Sequence, residues 1–241
     1  MSKTKSAVTL ATPLTLAAAE DGVKIKFRNM AKGIVLCSIN GGDGGCKKIP
    51  ALSARTITLK RAGDTAAFYG VNNTYYGWNG KRFVYSNIAC SAPCYVYGNI
   101  MSLAHYADTF KSAKELYAMQ TFYGLFKDNA FIRNKKGAEL FLPATKLTSE
   151  CYRYMFSGCT GLTRAPALPA KRLASNCYGF MFMGCTSLMA APLLPAKRLE
   201  EWCYNHMFYG CSSLAKKPSL PAKRLPEFCY YKMFEKCPRL R

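Results

Sequence analysis

Hydrophobic and polar positions alternate through much of the first hundred residues. Lys24-Ile25-Lys26-Phe27 and Arg55-Thr56-Ile57-Thr58-Leu59-Lys60 have a period of two, which sets one face of a strand on a core and the other in water. Ile34-Val35-Leu36 and Cys46-Lys47-Lys48-Ile49 flank Asn40-Gly41-Gly42-Asp43-Gly44-Gly45, which predicts a hairpin with an enlarged turn. Further turns are expected at Asn72-Asn73, Asn79-Gly80 and Ser91-Ala92-Pro93. Short strands at this spacing predict a small sandwich over residues 1–100. Residues 102–125 read as helical or irregular.

Beyond that segment the pattern becomes periodic on a longer scale. Cys151, Cys177, Cys203 and Cys229 lie 26 residues apart, and Cys159, Cys185, Cys211 and Cys237 keep the same spacing. So do Met155–Phe156, Met181–Phe182, Met207–Phe208 and Met233–Phe234, and Leu-Pro-Ala tetrads open at Leu142, Leu168, Leu194 and Leu220. The unit reads LPAKRLxxxCYxxMFxGCxSLxxxPxLPA. A unit this short cannot bury its own apolar residues, but stacked copies can.

Within one unit Met181 is i+4 and Phe182 i+5 from Cys177, a spacing that puts them on one broad helical face. Gly158, Gly184 and Gly210 follow at the place of a left-handed helix end, with Lys236 in the fourth copy. Each unit is therefore expected to be an outer helix of about a turn and a half and a short inner strand. Pro166, Pro192 and Pro218 remove ladder donors, so the inner sheet is expected to be short and incompletely bonded. Leu125–Phe126 and Phe131–Ile132 look like a degenerate first copy, with Lys135, Lys136 and Gly137 in an extra loop. The sequence stops inside a repeat at Pro238-Arg239-Leu240-Arg241. Either a longer natural chain or a partner, a second copy included, is expected at that uncapped end.

The LPAxxL opening, the CYxxMFxGC centre and the SLxxAP close resemble the BspA-like leucine-rich repeats of bacterial surface and phage proteins, strongly over about residues 120–241. Gly98 to Leu103 and the β-rich region before it resemble, more loosely, the half that accompanies such repeats. The resemblance implies adhesion or recognition of host or matrix ligands without catalysis. The expected class is α+β: a mainly-β N-terminal domain over 1–100, a connecting segment with a degenerate capping repeat over 101–141, and a leucine-rich-repeat-like solenoid of about four 26-residue repeats over 142–241.

Charge adds a second theme. The formal net charge is +21, with +11 in residues 1–140 and +10 in 141–241, so no single basic arm accounts for it. Such a surface attracts nucleic acid, anionic lipid or acidic glycan, or merely stays solvated. Lys171–Arg172, Lys197–Arg198 and Lys223–Arg224 recur at one site of the repeat, with Thr145–Lys146 in the first copy. In a stack they form a basic stripe, the candidate ligand-binding surface. Tyr152, Tyr178, Tyr204 and Tyr230 also recur and read as core residues with an outward hydroxyl.

The cysteines suit small buried hydrophobes better than cross-links or metal ligands. Across a continuous helix Cys177 and Cys185 would stand about 12 Å apart, beyond the roughly 7 Å a disulfide spans. Cys151, Cys159, Cys177, Cys185, Cys203, Cys211, Cys229 and Cys237 are therefore expected to be reduced repeat-core thiols. Cys37 with Cys46, and Cys90 with Cys94, could pair or stay free. Cys203-x-x-His206-x4-Cys211 resembles a ligand cluster, but the other copies carry Tyr154, Phe180 and Lys232 in place of His206. No nucleophile elbow or phosphate loop is present. No cofactor and no catalytic residue is expected.

The expected ligand is a glycan or a protein. A nucleic acid or other polyanion, bound by a virion structural or assembly protein, is the alternative. No apolar run is long enough for a membrane span. The interrupted apolar stretch at the N-terminus makes a poor signal peptide. A virion or the cytoplasm is expected on that ground, or the cell surface if a leader has been removed.

Overall fold

The computed structural model describes residues 8–70, 76–78, 83–105 and 107–241. Alternating residues of the first part form strands β1 (Leu14–Ala18), β2 (Val23–Asn29), β3 (Val35–Ile39), β4 (Gly42–Ile49), β5 (Ser53–Leu59), β6 (Thr65–Gly70), β7 (Tyr76–Trp78), β8 (Phe83–Tyr85), β9 (Asn87–Cys90) and β10 (Cys94–Asn99). Two more, β11 (Ile132–Asn134) and β12 (Leu140–Phe141), come from the segment before the first full repeat. The largest sheet runs β11-β10-β1-β6-β3-β4, with β12 also on β10, and a three-stranded sheet runs β5-β2-β9. In β2, Val23, Ile25 and Phe27 are buried while Lys24, Lys26 and Arg28 are exposed. Phe27 of β2 meets Phe68 of β6 with ring centroids 5.2 Å apart, so the two sheets share one core.

The β3–β4 turn is tighter than expected. Ile39 pairs with Gly42, which leaves only Asn40 and Gly41 between the strands. Both have positive φ, 53° and 68°, the mirror-image turn that matches the strand twist. The enlarged loop is absent because Gly42 to Gly45 join β4. Ser91-Ala92-Pro93 connects β9 to β10. The turns expected at Asn72-Asn73 and Asn79-Gly80 lie outside the described residues.

β10 carries the sheet into the repeats. It pairs in parallel with β11 and β12, and Gly98 lets it pass close to the segment before β1. Gly98 has φ +88°, and a Cβ there would stand 2.0 Å from the Pro13 carbonyl oxygen. After it, Asn99 caps a 3-10 turn at Ile100–Leu103 by accepting the Met101 N–H.

The expected α+β class is not what forms. Apart from two short 3-10 turns, no helix exists among the described residues, and the fold is almost entirely β. The sheets do not close into a leucine-rich-repeat solenoid, and the helix-plus-strand unit is absent. Where a helix was expected, the repeat runs through successive turns. The N–H groups of Arg153, Met155, Ser157 and Cys159 close i→i−3 bonds, while those of Tyr152, Tyr154, Phe156 and Gly158 reach the carbonyls of Cys177, Gly179, Met181 and Met183 in the next repeat. Alternate carbonyls are thus committed to a neighbour and cannot accept the i+4 amide that an α-helix needs. Every fourth residue adopts positive φ to make this path: Glu150, Tyr154 and Gly158, then Asn176, Phe180 and Gly184. In place of the inner strand only isolated bridges occur, Arg164 with Ala190 and Arg172 with Arg198, because prolines interrupt the ladder.

Residues 120–128 form the first layer of this stack. Gln120, Phe122, Gly124, Phe126 and Asp128 donate to Ser149, Cys151, Arg153, Met155 and Ser157. Asn87 of β9 closes the layer's other side, its Nδ2 donating to the carbonyls of Gly124, Leu125 and Lys127 at 3.1–3.4 Å. We expect Asn87→Ala to cost about 1–2 kcal/mol, because half-buried carbonyls lose a donor. Urea unfolding checks it, and an unchanged midpoint would mean that water replaces the amide without loss.

Candidate functional site

The first two basic doublets each sit between a buried alanine and a buried leucine. Ala170 and Leu173 anchor Lys171–Arg172, and Ala196 and Leu199 anchor Lys197–Arg198, which holds all four charged side chains in solvent. The Lys197 and Arg198 N–H groups both donate to the Lys171 carbonyl, at 3.2 and 3.4 Å, and Leu173 N–H donates to the Arg198 carbonyl at 3.0 Å. The two doublets therefore stand one bonded layer apart, about 5 Å. Together with Pro195 and Pro221 they line an open cleft of about 710 Å³.

The third doublet does not join them. Lys223 and Arg224 are exposed but do not line this cleft, and Leu225, the counterpart of the anchoring leucines, is 60% exposed. Lys146, one layer earlier, is paired with Glu115. No ion pair among the described residues involves Lys171, Arg172, Lys197 or Arg198. Like charges on adjacent layers repel, and a bound anion relieves that repulsion.

The repeat cysteines face the interior. Cys151, Cys159, Cys177, Cys185, Cys203 and Cys211 have no exposure, Cys229 is 4% exposed, and Cys237 is half-buried. Burial pushes the Cys151 and Cys203 thiols up to about 12 and raises Cys159, Cys177, Cys185 and Cys211 as well. The helical distance argument against disulfides has lost its premise. The thiols have a specific partner instead. Those of Cys159, Cys185, Cys211 and Cys237 donate to the carbonyls of Phe126, Phe156, Phe182 and Phe208 one layer before, at 3.0–3.1 Å. Three of these pairs are 29 residues apart and the first, from the degenerate copy, is 33 apart.

No disulfide joins the described cysteines. The Cys46 side chain, and with it the Cys37–Cys46 pairing, lies outside the described residues. Cys90 and Cys94 are both buried thiols in mutual hydrogen-bond contact, which lowers the first and raises the second. Among the described residues no three His, Cys, Asp or Glu side chains gather as metal ligands. His206 stacks on Phe180 at 4.8 Å. The Tyr152 hydroxyl does not point outward: it is buried without a hydrogen-bond partner, and burial holds it protonated.

Sequence reading missed a second, apolar cleft of about 480 Å³ beside the basic one. Its walls include Phe141, Pro166, Leu168, Pro192, Leu193 and Pro195. The signal was present in the residue before each Leu-Pro pair, which reads Phe141, Ala167, Leu193 and Ser219.

No family profile matches the chain, and no curated protein or solved structure shows significant similarity to it. No helix among the described residues is long and apolar enough to cross a membrane.

Proposed function

We propose that this chain is a non-enzymatic recognition protein that binds an acidic glycan across the cleft between Lys171–Arg172 and Lys197–Arg198. One observation carries the reading: four exposed cations occupy adjacent bonded layers around one cleft and have no carboxylate partner there. The resemblance of the repeat motif to those of adhesion proteins supports it from the sequence. The cleft lining is Lys, Arg and Pro, without an aromatic platform on which unpaired bases stack. That favours a saccharide bearing sulfate or carboxylate groups over a single-stranded nucleic acid.

Binding of a sulfated polysaccharide should weaken steeply with salt, since each cation that neutralises a ligand charge releases counterions. The quadruple variant Lys171→Glu, Arg172→Glu, Lys197→Glu, Arg198→Glu should lose at least about thirtyfold in affinity at 0.1 M salt and flatten the salt dependence by roughly three units of slope. Lys223→Glu with Arg224→Glu should cost severalfold at most. Titration calorimetry with the polysaccharide, and with single- and double-stranded DNA of equal charge, measures this. Equal losses for both variants would mean that net charge alone drives binding, and tighter DNA binding through the same four residues would replace the glycan by a nucleic acid.

A further inference from the structure

The apolar and basic clefts meet. Pro195 lines both, and Lys171 in the second follows Ala167 in the first by four positions along one coil. The apolar cleft exists because the stack has a missing side chain. Phe141, Ala167 and Leu193 occupy equivalent positions in three consecutive layers. Two large residues therefore flank a methyl group, and Leu193, 83% exposed, forms one bank of the gap. The cleft is of a size that holds a small apolar ligand portion. One polar side chain of its wall is already engaged: the Asn134 amide donates to the Arg164 carbonyl at 3.0 Å and its oxygen accepts from the Thr163 and Arg164 N–H groups at 2.9 Å. Glu139 and Arg164 also line the cleft, and the side chains that remain are all apolar.

We propose that the two clefts form one site for an anionic amphiphile, with its acidic head on Lys171, Arg172, Lys197 and Arg198 and a single alkyl or acyl chain lying over Ala167. This rests on the basic-cleft reading for the head group and extends it: an acidic saccharide that carries a lipid chain has both parts. Four residues of extended backbone span about 13 Å, which an extended chain of roughly ten methylenes matches. The neighbouring charge selects the occupant. A neutral apolar molecule would leave four unpaired cations at the mouth, and a bare anion would leave the apolar cleft wet.

The probes are inorganic phosphate and ethyl, hexyl, octyl and decyl phosphate, titrated below their micellar concentrations, with octyl maltoside as the uncharged control. Affinity should rise about fourfold per methylene once the chain reaches the cleft, the equivalent of about 0.8 kcal/mol each. Binding should also raise the melting temperature. Ala167→Leu fills the gap at an exposed position and completes the Phe-Leu-Leu row, so it should abolish the chain-length dependence while leaving sulfated-polysaccharide affinity within twofold. Lys197→Glu with Arg198→Glu should weaken octyl phosphate at least tenfold.

Each other result overturns the proposal in a recognisable way. Affinity independent of chain length, with polysaccharide binding intact, removes the chain site but leaves the basic cleft. Chain-length dependence untouched by the charge variants, or octyl maltoside binding as well as octyl phosphate, removes the anionic head. A falling melting temperature on adding the alkyl phosphates shows that they act as denaturants, not as ligands of a formed site.

Discussion

Between pH 9 and about 10.5 the folded chain is expected to unfold cooperatively, even in the presence of reductant. Six repeat thiols, those of Cys151, Cys159, Cys177, Cys185, Cys203 and Cys211, have no exposure. Burial raises all six, Cys151 and Cys203 to about 12. Below the ordinary thiol value near 9 both states hold these protons and stability does not change. Above it the unfolded chain sheds protons that the folded chain keeps. Each thiol then subtracts about 1.4 kcal/mol per pH unit until its own folded value is reached. Six acting together remove about 8 kcal/mol per unit, as much as the whole stability of a typical domain. Tyr152, Tyr178 and Tyr204, raised by the same burial, steepen the loss above pH 10. Lysine neutralisation works the other way by relieving repulsion in a chain of charge +21, but mostly between exposed, screened groups. Urea midpoints from pH 7 to 11 read the balance. A midpoint constant to pH 11 would show that the thiols titrate in the folded state, and the dry interior assigned to them would be wrong.

The same residues show what the sequence could and could not reveal. The 26-residue period located every layer, and the resemblance between Leu125–Phe126 and Met155–Phe156 located the one before them: Phe126 and Phe156 stack at 5.6 Å. The conformation inside a layer was not legible. Buried pairs recur every four residues, Cys151–Tyr152, Met155–Phe156 and then Cys159. On an α-helix a step of four drifts only about 40°, so three such positions still fit one broad helical face. The residues that decide between the alternatives are Glu150, Tyr154, Asn176, Phe180, Trp202 and His206, all at positive φ. None is a glycine, and of the six only Asn176 is of a type that visits the left-handed region readily; the others carry a cost of about 1–2 kcal/mol each that the inter-layer bonds offset. Gly158, Gly184 and Gly210 do announce a left-handed turn, but a glycine at a helix end has the same signature.

The basic site was legible by type and only in part by place. Three identical doublets appear equivalent in sequence, yet the structure assembles two around a cleft. The third lacks the bonds to the layer before it that fix Lys197 and Arg198. It also lacks a buried leucine anchor, since Leu225 is exposed. The apolar cleft depends on a contrast between residues 26 positions apart, and a pattern read along one unit does not register it.

That dependence on stacked neighbours leads to the second large effect. Phe182→Ala is expected to cost about 5 kcal/mol, the upper end for a buried phenylalanine. The Phe182 ring has no exposure and stands between Phe156 at 5.5 Å and Phe208 at 5.6 Å, nearly parallel to both. Its loss leaves a cavity and also removes two ring contacts worth about 0.5–1.5 kcal/mol each. Phe234→Ala at the last layer removes a half-buried ring with one stacked neighbour, Phe208 at 5.8 Å, and should cost about 1–2 kcal/mol. The two variants delete identical atoms, so their difference isolates position in the stack. In an array stabilised between neighbours, an interior defect also uncouples the layers on either side. Phe182→Ala should therefore broaden the urea transition and lower its slope, whereas Phe234→Ala should shift the midpoint alone. Equal costs with unchanged slopes would mean that each repeat stabilises itself, and the ligand surfaces could then not depend on the register between layers as they do here.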